Sequence, residues 1–173
     1  MSDTIVSGTH VIVVMGVAGA GKTTVGQELA QALGWEFRDA DDFHSAANVA
    51  KMHCGEGLTD EDRKPWLETL RHLIATTVHE HRYMVLACSA LKQSYRDVLM
   101  PPDVQRGAVR FVYLDVPASE LRHRLAERTG HFAPPELLTS QLATLEPPRD
   151  AVWVDGTRPV ATEVETIRRA FGL

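Results

Sequence analysis

Residues 16–23, Gly-Val-Ala-Gly-Ala-Gly-Lys-Thr, constrain this 173-residue chain more than any other stretch. They match G-x-x-x-x-G-K-[ST] and directly follow the apolar run Val11-Ile-Val-Val-Met15. A helix-compatible segment from Thr24 to Leu33 comes next, with Gly34 as its stop signal. A strand, a glycine-rich loop and a helix in that order make a phosphate cradle. The glycines let backbone N–H groups approach an anion closely, at a helix N-terminus whose dipole favours negative charge. The whole run Gly16, Val17, Ala18, Gly19, Ala20, Gly21, Lys22, Thr23 and Thr24 is therefore expected to wrap nucleotide phosphates. Lys22 supplies a point charge to the β- and γ-phosphates, and the Thr23 hydroxyl a ligand to Mg²⁺.

Around this loop, apolar strand-like runs alternate with helical ones. Candidate strands cover 11–15, 35–38, 83–88, 109–114 and 151–154, and candidate helices about 22–33, 46–53, 65–81, 92–99, 117–128, 135–145 and 159–171. Such alternation implies right-handed βαβ units and a parallel sheet covered on both faces. Thr59-x-x-Asp62 resembles a capping box. Pro65 is unwelcome inside a helix, so a short turn is expected at 59, then a new helix with Pro65 in its first turn. Pro134-Pro135 and Pro147-Pro148 bracket a segment able to move as a unit.

Composition narrows the function. At this length one domain buries a sizeable core. A net charge of −5 offers no basic stripe for nucleic acid. Two cysteines, Cys54 and Cys88, are too few for a disulfide framework or a zinc site and read as reduced thiols. Residues 1–10 carry no Lys or Arg, unlike a signal peptide, and no apolar run is long enough to span a bilayer. The expectation is a cytoplasmic enzyme.

In an open α/β sheet, ligands gather beyond the carboxyl ends of the strands. There, just after the second strand, lies Asp39-Ala-Asp-Asp-Phe-His44. Phosphoryl transfer to a hydroxyl needs one carboxylate to accept the proton and another to serve Mg²⁺, directly or through water. Asp39 and Asp41, spaced i,i+2 on an extended segment, can share those duties. The competing reading is an acidic turn or helix cap. The third strand ends in Cys88-Ser89-Ala90-Leu91-Lys92, with no acidic residue, so the carboxylates after the second strand must take over the metal-holding duty. No Asn/Thr-Lys-x-Asp guanine-reading motif follows, which disfavours a GTPase switch.

Together these blocks resemble the small single-domain gluconokinases. The likeness runs from about Val14 to Pro148. It is carried by residues 15–24, by 39–44 with Asn48 and Lys51-Met52, by Leu58-Thr-Asp-Glu-Asp-Arg-Lys-Pro-Trp-Leu67, by Ala87-Cys-Ser-Ala-Leu-Lys-Gln-Ser-Tyr-Arg-Asp97, and by residues 130–148. It implies an α/β, P-loop nucleoside-kinase-like fold: a five-stranded parallel sheet in order 2-3-1-4-5, flanked by helices and closed by a mobile lid at about 124–147. It further implies Mg²⁺-ATP, D-gluconate phosphorylated on its 6-hydroxyl, and a homodimer feeding the pentose phosphate and related pathways. Ala18 and Ala20 stand where relatives often carry Ser. Backbone N–H groups do the wrapping, so the alanines do not abolish it. Ser45 stands where Pro is common, which bears on the entry of the next helix.

The acceptor needs hydroxyl partners and at least one cation for its carboxylate. Arg63 is the leading cation, because a guanidinium grips a carboxylate with two parallel hydrogen bonds. An ordinary ion pair with Asp60 or Asp62 is the alternative. Lys92 and Arg96 share a helix face at i,i+4 and either bind gluconate or cover apolar surface with their stems. The family likeness adds Asp41, His44, Asn48, Ser89, His131 and Gln141 to the expected gluconate contacts. Arg124 and Arg128 resemble lid arginines of nucleoside-type kinases, one stacking on adenine and one nearing the phosphates. They suit a helix C-terminus equally well. Lys22, Asp39, Asp41 and Arg128 form the expected catalytic set, with Thr23 and Asp39 at the metal. Trp66, Trp153 and Phe111 read as core or partner-facing packing. Shikimate-type or nucleotide kinases, and a nucleotide-binding regulator with no acceptor, are the alternatives.

Overall fold

In the computed structural model, which describes residues 8–128 and 135–173, the apolar run Val11–Met15 forms the central strand β1, every residue of it fully buried. A strand without a polar face must be covered on both faces and paired on both edges. The sheet meets this demand with β2 (Glu36–Asp39), β3 (Met84–Ala87), β4 (Val109–Asp115) and β5 (Ala151–Asp155). The spatial order is β2-β3-β1-β4-β5, the order that the likeness implied. All four pairings are parallel, with Val13 in register with Leu86 on one side and Phe111 on the other.

The helices are α1 (Lys22–Leu33), α2 (Ala46–His53), α3 (Asp60–His79), α4 (Gln93–Leu99), α5 (Ala118–Glu127), α6 (Pro135–Thr144) and α7 (Val160–Phe171). Helix α1 buries Val25, Leu29 and Ala30, and Gly26 lets it lie close on the sheet. A Cβ on Gly26 would sit 2.8 Å from Phe37 Cε2. Overpacking costs about 1–3 kcal/mol, against about 1 kcal/mol gained from the helix preference of Ala over Gly. Gly26→Ala is accordingly expected to lower stability in urea denaturation. A gain would mean that the Phe37 ring yields freely.

Ser45 caps α2, its Oγ accepting from the Asn48 backbone N–H at 3.1 Å, so the missing proline does not disturb the entry. One expectation fails at α3. The helix is continuous from Asp60, and Pro65 lies inside it rather than in the first turn of a new one. Thr59 and Asp62 close a reciprocal capping box that starts the helix early. An interior proline costs about 3 kcal/mol. Burial of Trp66, Leu67 and Leu70 immediately after it, at about 1.5–3 kcal/mol per side chain, outweighs that cost.

Candidate active site

The carboxyl ends of β1, β2 and β3 open into a cleft of about 270 Å³. It sits where the chain order reverses across β1, the usual ligand position of such a sheet. Gly19 and Gly21 adopt φ of 85° and 97°, a left-handed backbone that lets the loop turn its N–H groups inward at the start of α1. The Lys22 ammonium donates to Val17 O at 3.0 Å across this loop. Burial lowers its pKa, opposed first by the Asp41 carboxylate and also by Asp39.

β2 delivers its carboxylates beside the loop. Asp39 accepts from the Thr23 hydroxyl at 3.0 Å through Oδ2, and from the Asp41 backbone N–H at 3.0 Å through Oδ1. That second bond caps the 3-10 turn Ala40–Phe43, so the helix-cap reading and the cleft position hold together. Asp41 also lines the cleft. Its carboxyl is raised above the ordinary carboxylate range by burial first, then by the Asp39 charge. At the end of β3, burial pushes the Cys88 thiol up to about 12, so it adds no charge beside Lys22.

The opposite wall comes from α3 and its approach. His44 stacks on Trp66 with ring centroids 4.2 Å apart. Burial, then the Arg63 guanidinium, hold the His44 imidazole below its ordinary value and therefore neutral near pH 7. Trp66 donates from Nε1 to Ala40 O at 2.7 Å, tying α3 to the turn that carries Asp41. Arg63 faces the cleft and donates to the Tyr95 hydroxyl at 2.9 Å, with Asp60 at 3.9 Å.

Of the expected gluconate contacts, Asp41, His44, Arg63, Ser89 and Gln141 line this cleft, and Asn48, Lys92 and Arg96 do not. Asn48 is buried and donates to Asp62 O at 2.8 Å, joining α2 to α3. Lys92 turns to Asp60 at 3.2 Å. Arg96 is 3% exposed and donates to Ala90 O at 2.7 Å and Glu146 O at 2.8 Å. It ties the turn after β3 to the chain leaving α6. Lys92 precedes α4 as its N-cap residue, without a side-chain capping bond, and Arg96 lies inside the helix, so the shared helix face expected from i,i+4 spacing does not arise. His131 lies outside the described residues. Gln141 reaches the cleft with its Oε1 accepting from the Ala18 backbone N–H at 2.7 Å.

The loop's other flank borders a second cleft, of about 300 Å³. Gly19, Gly21, Thr24 and Arg128 line both clefts. Arg124 belongs to the second alone, donating to Gly19 O at 3.2 Å and Gly156 O at 2.6 Å. Sequence reasoning missed Tyr95, Trp66 as a cleft wall, and the stretch after β5 that borders the second cleft. Their residue types carry no motif, and only the carboxyl-end position of residues 156–160 could have signalled them. Trp153 is half exposed on the edge strand, whereas Phe111 is buried in the sheet.

The Thr23 hydroxyl and the Asp39 carboxylate are hard oxygen donors side by side, a pair suited to Mg²⁺. Among the described residues no group of three or more His, Cys, Asp or Glu side chains could hold a metal. Thr23 and Asp39 would thus share the ion with phosphate oxygens and water. No helix among the described residues is long and apolar enough to cross a membrane.

Comparison with known proteins bears on the family and the fold. Residues 11–148 match the AAA domain family. The chain is 45% identical to a gluconokinase of Gluconobacter oxydans, covering 92% of this chain and 90% of that one. It is 46% identical to a probable gluconokinase of Mus musculus, over 80% and 83% of the two chains. Among solved structures, a gluconokinase from Sinorhizobium meliloti 1021 superimposes with a TM-score of 0.83 at 41% identity, covering 94% and 91%.

Proposed function

The chain belongs to the gluconokinase family, and from that premise we propose that it transfers the γ-phosphoryl group of ATP to the 6-hydroxyl of D-gluconate. One observation carries the reading. A single cleft has Lys22, Asp39 and Asp41 on the phosphate-loop side and His44 and Arg63 facing them.

The loop amides and Lys22 hold the triphosphate, with its base in the second cleft. Thr23 and Asp39 would hold Mg²⁺, which would neutralise charge on the phosphates. Arg63 holds the gluconate carboxylate, while His44 and Ser89 meet its hydroxyls. Asp41 accepts the proton of the attacking hydroxyl. Asp39, occupied by Thr23 and by the Asp41 backbone, serves the metal. Gln141 joins lid to loop, and Arg128, at the edge of both clefts, offsets charge on the transferred group. Lid closure expels water, the competing acceptor. Residues 1–173 act as one kinase domain with its lid at about 124–147. Family likeness supports a cytoplasmic homodimer whose product enters the pentose phosphate pathway.

A coupled assay of ADP release across gluconate, other aldonates, shikimate and nucleoside monophosphates tests the activity. Gluconate-dependent turnover well above the rest is expected, and preference for shikimate or a nucleotide would overturn the assignment. Arg63→Lys is expected to raise the gluconate KM about 10- to 100-fold with ATP affinity nearly unchanged, because a point charge cannot reproduce the forked contact. If ATP affinity falls and the gluconate KM stays put, Arg63 works on the nucleotide or only in the Tyr95–Asp60 network.

A further inference from the structure

Glu163, in the first turn of α7, is 3% exposed and lines the second cleft, across from the phosphate-loop flank. Its Oε1 is fully buried and has no hydrogen-bond partner among the described residues. Leaving a buried carboxyl oxygen unpaired is costly, and such an atom marks the place of an absent partner. Packing alone gives no reason for a carboxyl here, since the neighbouring Val25 and Val160 would accommodate an apolar side chain. The two clefts meet at Gly19, Gly21, Thr24 and Arg128. A nucleotide whose terminal phosphate lies at Lys22 would thus leave the loop toward the cleft where Glu163 waits.

We propose that Glu163 reads the nucleotide base and selects a 6-aminopurine over a 6-oxopurine; this rests on the ATP-dependent kinase reading. The purine edge of adenine offers one donor, the N6 amine, and one acceptor, N7. A protonated carboxyl offers the complementary pair: Oε1 accepts from N6 while the second oxygen donates its proton to N7. Guanine presents two acceptors on that edge, O6 and N7, and leaves Oε1 unpaired. Burial pushes the Glu163 carboxyl up to about 7, against Arg124, which lowers it, and with Asp155, which raises it. Among the described residues, Glu127, Arg128 and Arg158 are the other charged groups bordering this cleft, and α1 contributes none to it. The proton is therefore present below about pH 7 and lost above it.

The test compares kcat/KM for Mg²⁺-ATP and Mg²⁺-GTP, with gluconate saturating, in the unsubstituted enzyme, Glu163→Gln and Glu163→Ala. Glu163→Ala is expected to shrink the ATP-to-GTP ratio by about 10- to 100-fold, the range for losing one two-point base contact. The glutamine amide offers the same acceptor and donor, so Glu163→Gln retains the ratio. Between pH 6 and 8.5 the ATP KM should rise in the unsubstituted enzyme and stay flat in Glu163→Gln. An unchanged ratio in Glu163→Ala, or a ratio in Glu163→Gln that collapses like that of alanine, refutes the proposal. If the alanine variant does not fold, the pH profile of Glu163→Gln decides alone. Gluconate-dependent ATP turnover by the unsubstituted enzyme tests the underlying kinase reading separately.

Discussion

Replacing Lys22 with alanine is expected to cut gluconate-dependent ATP turnover by at least about 10²-fold, the scale for removing one preorganised electrostatic contact. The fold should survive. Burial already disfavours the ammonium, and its one hydrogen bond among the described residues goes to Val17 O within its own loop. Losing that charge removes a desolvation cost rather than a support, so the melting temperature should hold or rise. Turnover and thermal unfolding measured on the same preparation separate the two effects. Near-normal turnover in a folded variant would falsify the phosphate-loop role.

Asp41→Asn is expected to lower kcat by about 10²–10⁴-fold, the usual contribution of a positioned proton acceptor. The amide keeps the shape and cannot take the proton. Mg²⁺-ATP binding by calorimetry should be retained, because the contact between Thr23 and Asp39 is untouched. Asp39→Asn should behave differently. It removes the carboxylate charge beside Thr23 while leaving Asp41 present, so activity should return in part as Mg²⁺ is raised. A titration of kcat against Mg²⁺ for both variants distinguishes the roles. Normal turnover in Asp41→Asn, together with an Asp39→Asn enzyme dead at saturating Mg²⁺, reverses them.

Much of this could be read from the chain itself. Five apolar runs separated by helical periods demand a parallel sheet, because a buried strand flanked by crossover helices has no other way to cover its faces. The loop at 16–23 is legible for a related reason: its glycines, lysine and threonine act through the backbone and through atoms a few residues away. The capping box at Thr59 was legible on the same ground. Pro65 was misread because its local penalty is smaller than the burial of the residues beyond it, and burial is settled by the rest of the fold.

Tertiary structure decided which polar side chains face the cleft. Arg63, Lys92 and Arg96 are equivalent cations in one dimension. Arg96 finds Glu146 O, fifty residues on, and is consumed in a brace, while Lys92 finds Asp60, 32 residues back. Gln141 meets Ala18 across 123 positions, and the Glu163 carboxyl is raised by burial where α7 packs on α1 and β5. Elements follow from short-range sterics and hydrophobic period, which a sequence displays directly. The partner and solvation of a side chain depend on atoms that folding alone brings near, and those set its charge, its direction and its chemistry.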